Sequence, residues 1–250
     1  MIFIELVLGF GIGLSLGLLG GGGSILTVPA LVYLVGQTPQ VAVTTSLAIV
    51  GANSVMGAMF HNSKGKLDWN VALIFGSAGM LAAYLSAGIS KHIVPEFLLV
   101  AFGVLMLVIG VMLLFRRSKE EETSYKAKPL MLVLVTGAGV GLLTGILGVG
   151  GGFLVVPALV MLLGLPIQVA VGTSLVVIAM NSVAGFLGHA SSGSFDWMVT
   201  LVFVAAGLVG TFSGMRLSSR LSSSKLQKAF AVFVIALAFF LLFDNLSKIL

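Results

Sequence analysis

Two asparagines, Asn53 and Asn181, stand in the middle of long apolar stretches of this chain. Each is preceded by a Thr-Ser pair, Thr45–Ser46 and Thr173–Ser174, and followed four residues later by a glycine, Gly57 or Gly185. Ser46, Asn53 and Gly57 are seven and then four residues apart, so they share one helical face, and Ser174, Asn181 and Gly185 repeat the pattern. An amide in an apolar medium is expensive unless bonded; such residues either line a pathway or hold helices together. Upstream of each set runs a glycine string. The first is Gly20–Gly23 followed by Ser24; the second holds Gly148, Gly150, Gly151 and Gly152.

These groups share one chemical capacity. Glycines present bare N–H groups with no Cβ in the way, and an exposed helix start carries roughly half a positive charge. Together with hydroxyls and amides they can cradle an anion without any fixed cation. Glu5, Glu96 and Asp244 lie near the ends of apolar runs, and no Asp, Glu, Lys or Arg falls at mid-run. A proton or sodium relay built on a buried carboxylate is therefore not expected. Neutral binding of this kind is weak and reversible, which suits passage better than storage. For Gly9, Gly11, Gly13 and their counterparts Gly137, Gly139 and Gly141, close helix packing is the expected role.

The elements that must position these residues are membrane helices. The 250-residue chain is 58% hydrophobic and 8% charged, against about 45–50% and about 25% in soluble domains. Its apolar runs are long enough to cross a hydrocarbon core of ~30 Å. The N-terminal MIFIELVLGF has no basic region and no small-residue cleavage site, so it reads as a first membrane segment. The net charge of +5 sits in short loops, where it marks cytoplasmic loops and lipid headgroups and does not suggest nucleic acid. With no cysteine, disulfides and thiolate metal sites are excluded. Neither a cofactor nor a metal is expected.

The chain is duplicated. Residues 17–69 laid over 145–197, a shift of 128, match at 29 of 53 positions. Shared oiliness does not explain the pairs Pro29/Pro157, Asn53/Asn181, His61/His189, Asp68/Asp196 and Trp69/Trp197. The domains are thus repeat 1 at 1–115, a charged linker at 116–128 and repeat 2 at 129–250. Each half reads as an apolar run, a glycine break, a short run ending near Gly36 or Gly164, and three long runs. The first two elements are either two short broken helices or a re-entrant hairpin. The unwound stretch is expected from about Gly20 to Val28, with Pro29 and Pro157 in the first turn of the short helices.

Under either alternative each half crosses an odd number of times, so the halves are inverted. With both termini outside, eleven of the 13 Lys and Arg residues fall inside, in loops 61–68, 116–128 and 216–228, and only Lys91 and Lys248 outside. The expected fold is all-α and polytopic, with about 8–10 membrane segments in two inverted repeats. Asp68 and Asp196 sit where N-caps belong, and Trp69 and Trp197 where interface aromatics belong. His61 and His189 close their spans; too few ligands surround them for a metal, which leaves a structural role or one in gating or proton sensing.

The duplicated G-x-x-G-x-G-G-G…V-P-A-L…Q-V-A-x-G-T-S-L…N-S…G…H…G…D-W pattern resembles the sulfite exporter TauE/SafE family of bacterial membrane permeases. The first half departs from it slightly: Thr44 stands opposite Gly172, and Ser24 opposite Gly152. The resemblance covers nearly the whole chain. It implies movement of sulfite, sulfoacetate or related organosulfonates, mostly outward, across the bacterial cytoplasmic membrane. The residues alone leave a carrier, an anion channel and a scaffold partner open. They argue against an enzyme, since no nucleophile–base pair or ligand cluster lies in the spans. The expected partners are a small anion and the bilayer. The small-residue faces allow a homodimer without requiring one.

Overall fold

A chain in hydrocarbon must satisfy its backbone N–H and C=O groups within each segment, so uncharged apolar runs fold as helices. The computed structural model describes residues 2–90, 95–115, 129–147, 152–189 and 196–249, and no strand occurs among them. Repeat 1 holds α1 (Ile2–Leu19), α2 (Gly22–Pro29), α3 (Pro39–Ser63), α4 (Trp69–Ser90) and α5 (Pro95–Phe115). Repeat 2 holds α6 (Leu130–Leu147), α7 (Gly152–Met161), α8 (Ile167–His189), α9 (Trp197–Arg220) and α10 (Ser223–Ile249). Among the described residues, five stretches are long and apolar enough to cross a membrane: Ile2–Leu19, Val41–Ser63, Ile167–Leu187, Trp197–Arg220 and Ser223–Phe240. The linker 116–128 and glycines 148, 150 and 151 lie outside the described residues.

The breaks differ from the sequence expectation. Only Gly20 and Gly21 leave the helix; α2 already begins at Gly22. Pro29 closes α2 instead of opening a helix, and Pro157 lies inside α7. Proline cannot donate to the carbonyl four residues back, so the ladder loosens there. After Pro29 it loosens into a single wide π turn, Ala30–Leu34, in which the Val35 N–H reaches Ala30 O at 3.2 Å. One side of the turn is packed inside the protein, where Ala30 and Leu31 are buried, while Tyr33 and Leu34 are exposed; Leu159 in α7 is fully buried. Gly20 takes φ +76°, a left-handed turn that reverses the chain. α2 then folds back on α1, with the Gly23 α-carbon against the Ile12 carbonyl and the Leu16 backbone. The two helices pack as a hairpin, in which α1 is itself long and apolar enough to cross a membrane.

Packing exchanges elements between the halves. α1 lies parallel to α9: Gly9 meets Phe203 and Ala206, Gly13 meets Gly207, and Gly17 meets Thr211. α6 lies on α4 in the same way, Gly137 on Phe75 and Gly141 on Gly79. These are the same contacts shifted by 128 residues. α3 and α8 run antiparallel, with Gly51 beside Ser182, Gly57 beside Leu175 and Gly185 beside Leu47. α5 and α10 also run antiparallel, through Gly103 and Leu242, Gly110 and Ile235, and a Gln227 Nε2 donation to Leu113 O at 2.7 Å.

The glycines divide cleanly by this geometry. A Cβ on Gly13 would fall on the Gly207 carbonyl, whereas one on Gly11 would meet nothing within 4 Å. We expect Gly13→Ala to lose about 1–3 kcal/mol through forced separation of α1 and α9. Gly11→Ala should be neutral or gain up to ~1 kcal/mol from reduced backbone freedom. Thermal unfolding of the purified variants checks this; equal midpoints for the two would refute the close-contact account.

Candidate functional site

The break of the first half and the start of α7 in the second approach each other. A Cβ on Gly152, the first residue of α7, would lie 2.6 Å from Ser24 Oγ and 3.2 Å from Ile178. One on Gly20 would lie 2.7 Å from Ser174 Oγ and 3.0 Å from Val156. The structure thus gathers Gly20, Ser24, Gly152 and Ser174, two from each half. Gly22 and Gly23 begin α2, with Gly23 turned toward α1.

The register of α3 on α8 puts Asn53 level with Asn181, and Ser54 level with Ile178 beside Gly152. Asn53 is buried at 1% exposure, its Nδ2 donating to Ile49 O at 2.9 Å. Its amide fits because α9 has a glycine opposite: a Cβ on Gly207 would come within 2.5 Å of Nδ2. Gly57 and Gly185 serve the α3–α8 contact and receive the leucines Leu175 and Leu47. The hydroxyls of Ser24, Ser46 and Ser174 donate to their own helices, at Gly21 O, Val43 O and Val171 O.

Several buried oxygens have no partner. They belong to Thr45, Asn53 (Oδ1), Ser54, Asn181 (Oδ1) and Thr211, with Gln37 nearer one end. An unsatisfied buried polar group costs about 1–3 kcal/mol, and native proteins keep few without reason. On the α3–α8 register Asn53, Ser54 and Asn181 lie close to the level of Gly152, whereas Thr45 lies more than two helical turns away toward the start of α3. Ser54 and Thr211 are additions to the sequence reading. Ser54 was available from the repeated Asn-Ser pair. Thr211 was not, since its counterpart is Ala83 and a search by duplication passes over it.

Of the remaining sequence candidates, Thr173, His61, Asp68 and Trp69 sit at one end of the bundle, and Asp196 and Trp197, which follow the antiparallel α8, sit at the other. Thr173 Oγ1 accepts from the Asp68 N–H at 3.1 Å and so fastens the α3–α4 loop to α8. His61 is buried against Gly172, with Nδ1 3.0 Å from Gly57 O. The side chain of His189 is outside the described residues. Asp68 and Asp196 cap α4 and α9 through the Val71 and Val199 N–H groups, at 2.9 and 3.1 Å. Trp69 and Trp197 are exposed, and Trp69 Nε1 donates to Asn62 Oδ1 at 2.8 Å. Among the described residues no group of three His, Cys, Asp or Glu could hold a metal.

The family model for the sulfite exporter TauE/SafE matches residues 5–241. The chain belongs to the TauE/SafE family. This TauE/SafE protein is 36% identical over 245 residues to a probable membrane transporter protein of Xylella fastidiosa, covering 95% of this chain and 94% of that relative. It is 28% identical to the probable membrane transporter protein YunE of Bacillus subtilis, over 97% and 98% of the two chains. It is 27% identical to YfcA of Escherichia coli, described in the same words, over 91% and 81%. No solved structure matches this TauE/SafE chain. With its apolar helices, membership makes it an integral membrane protein of a transporter family.

If the orphan hydroxyls await a ligand, removing them should not harm the empty protein. Thr45→Val and Thr211→Val are expected to leave the unfolding midpoint of ligand-free protein unchanged or raised. Thr27→Val should lower stability by about 1 kcal/mol, because Thr27 Oγ1 donates to Gly23 O at 3.1 Å. A comparable loss in Thr211→Val would mean its hydroxyl is already engaged.

Proposed function

We propose that this protein is a secondary carrier for a small oxyanion of sulfur, sulfite or an organosulfonate, moved outward across the bacterial cytoplasmic membrane. The observation that carries the reading is the set of partnerless polar atoms near the first break and the start of α7. The Ser54 and Thr211 hydroxyls offer hydrogens directly. The partnerless Oδ1 atoms of Asn53 and Asn181 are acceptors, so these amides must turn their Nδ2 groups to the anion. Gly21 and Gly152 offer backbone with no Cβ in the way. Amide and hydroxyl hydrogens turned to an oxyanion satisfy both sides, and the absence of a fixed cation lets the anion leave. The substrate class itself follows the family name.

Two inverted halves with both termini outside complete the proposal. The antiparallel courses of α3 with α8 and of α5 with α10 support it, as does the crowding of basic residues into loops of one side. The tied loops at the inner end support a carrier over an open channel.

Two measurements test this. Thermal shifts of purified protein with sulfite, thiosulfate, sulfate, sulfoacetate, taurine and acetate should show stabilisation by one sulfur oxyanion, about 2.7 kcal/mol at a hundredfold excess over Kd. The double variant Asn53→Ala/Asn181→Ala should abolish the shift; no shift with any anion would remove the substrate assignment. For topology, a reporter active only outside the membrane should work when fused after Leu250 and be silent when inserted at Ser118. The reverse pattern would overturn the orientation.

A further inference from the structure

At the end of the bundle assigned to the cytoplasm, a small cleft of about 10 Å³, room for about one water, opens between the halves, so an anion enters only as Lys66 moves aside. Its lining is mainly apolar, but His61, Gln168 and Ser218 line it and are each more than nine-tenths buried, so buried polar side chains reach it as well as the charged rim. Lys64 stands at its mouth, and Arg216 lies beyond it on the neighbouring ring Phe212. The Lys64 ammonium lies 4.7 Å over the Phe60 ring and the Arg216 guanidinium 4.4 Å over Phe212. The two rings meet edge to face at 6.1 Å. Aromatic faces hold these cations in place but do not neutralise them, so the mouth keeps a positive field that concentrates anions.

A third cation, Lys66, reaches inside. Its Nζ donates to Gln168 Oε1, a bond from repeat 1 to repeat 2, while Gln168 Nε2 donates to Leu221 O at 3.4 Å. Neighbouring ties reinforce the junction, with the Gly172 α-carbon against Lys66 O and the Asp68 N–H on Thr173. Any rocking of the halves must break them. Only the Lys66 bond can be competed away by substrate, because an ammonium binds an oxyanion more strongly than a neutral amide oxygen.

We propose that this cleft is a second oxyanion site, a capture site in which Lys66 leaves Gln168 for the incoming anion and thereby unties the two halves. Capture by Lys66 stands on the cleft's own geometry, while the release it triggers rests on the carrier reading above. The ligand is a free oxyanion; a phosphate of an anionic lipid headgroup presents the same chemistry and is separated from it by the test.

The chain has no cysteine, so Ser219→Cys, at the exposed edge of the cleft, gives one labelling position. An environment-sensitive dye attached there through a thioether is read in zwitterionic-lipid nanodiscs while sulfite, sulfate or sulfoacetate is titrated. A saturable response is expected. Lys66→Met should weaken it roughly tenfold or more, the scale of one charge-assisted bond. Gln168→Leu should make it several-fold tighter, because Lys66 is no longer occupied; a merely structural Gln168 would give the opposite sign. The response should survive in Asn53→Ala/Asn181→Ala. Persistence in Lys66→Met, loss in the asparagine variant, or a response to anionic lipid with none to free anions would each overturn the proposal. Flux into vesicles, measured alongside, reports separately on the carrier: transport without a dye response sinks the capture site and leaves the carrier standing.

Discussion

The architecture depends on a contact between bare backbones, Gly13 on Gly207 and Gly141 on Gly79. In hydrocarbon, helices gain nothing from hiding apolar surface from one another, and association comes from close van der Waals fit and hydrogen bonds. Glycine permits the closest fit. The chain spends that contact between its halves: the first helix of each repeat is seated on the fourth helix of the other. Neither repeat has a complete packing surface alone. The hairpin of α1 and α2 is thereby delivered into the territory of α7 and α8, which is why Gly20 emerges beside Ser174.

The same contact makes room for polar chemistry. Gly207 serves two neighbours, meeting α1 through Gly13 and accommodating the Asn53 amide from α3. A larger residue there would separate α1 from α9 and displace Asn53. Tight packing and the polar centre are therefore consequences of one choice of residue. A bundle held so closely can keep several unsatisfied oxygens in place, a cost that a looser one would relax away by rotating them toward a neighbour.

Much of this was legible in the sequence because duplication filters noise. Positions that match across 128 residues, such as Asn53/Asn181 and the glycine strings, are where both halves face the same physical demand. The aspartate caps were readable from local chemistry alone. Residues that serve only one half were not. Thr211 faces Ala83 in the repeat, and Lys66 faces Ser194, so neither the orphan hydroxyl nor the cross-half bond is duplicated. The prolines misled for a different reason. Their preference for a first turn is a local rule, and in the buried returning segments it yields to a loosened ladder that neighbouring helices can support. No local pattern reports that support.

The departures between the repeats point to a difference between the two ends. By duplication Asn53 and Asn181 are equivalent, yet one is sealed at 1% exposure and the other is only partly buried. A carrier of two inverted halves must break its symmetry in any one state, and this inequality is of that kind. On the proposed orientation the inner end is the one where Gly172 lies on the Lys66 carbonyl and any Cβ would collide, a contact that ties the halves there. The equivalent position in the first half is Thr44, which brings a branched side chain to the place where the second half requires none. On the carrier reading, exchanging the halves cannot reproduce at the outer end the tie seen at the inner one. The outer closure must be looser or differently built, and the resting preference for a shut inner end is then written into a single unduplicated residue.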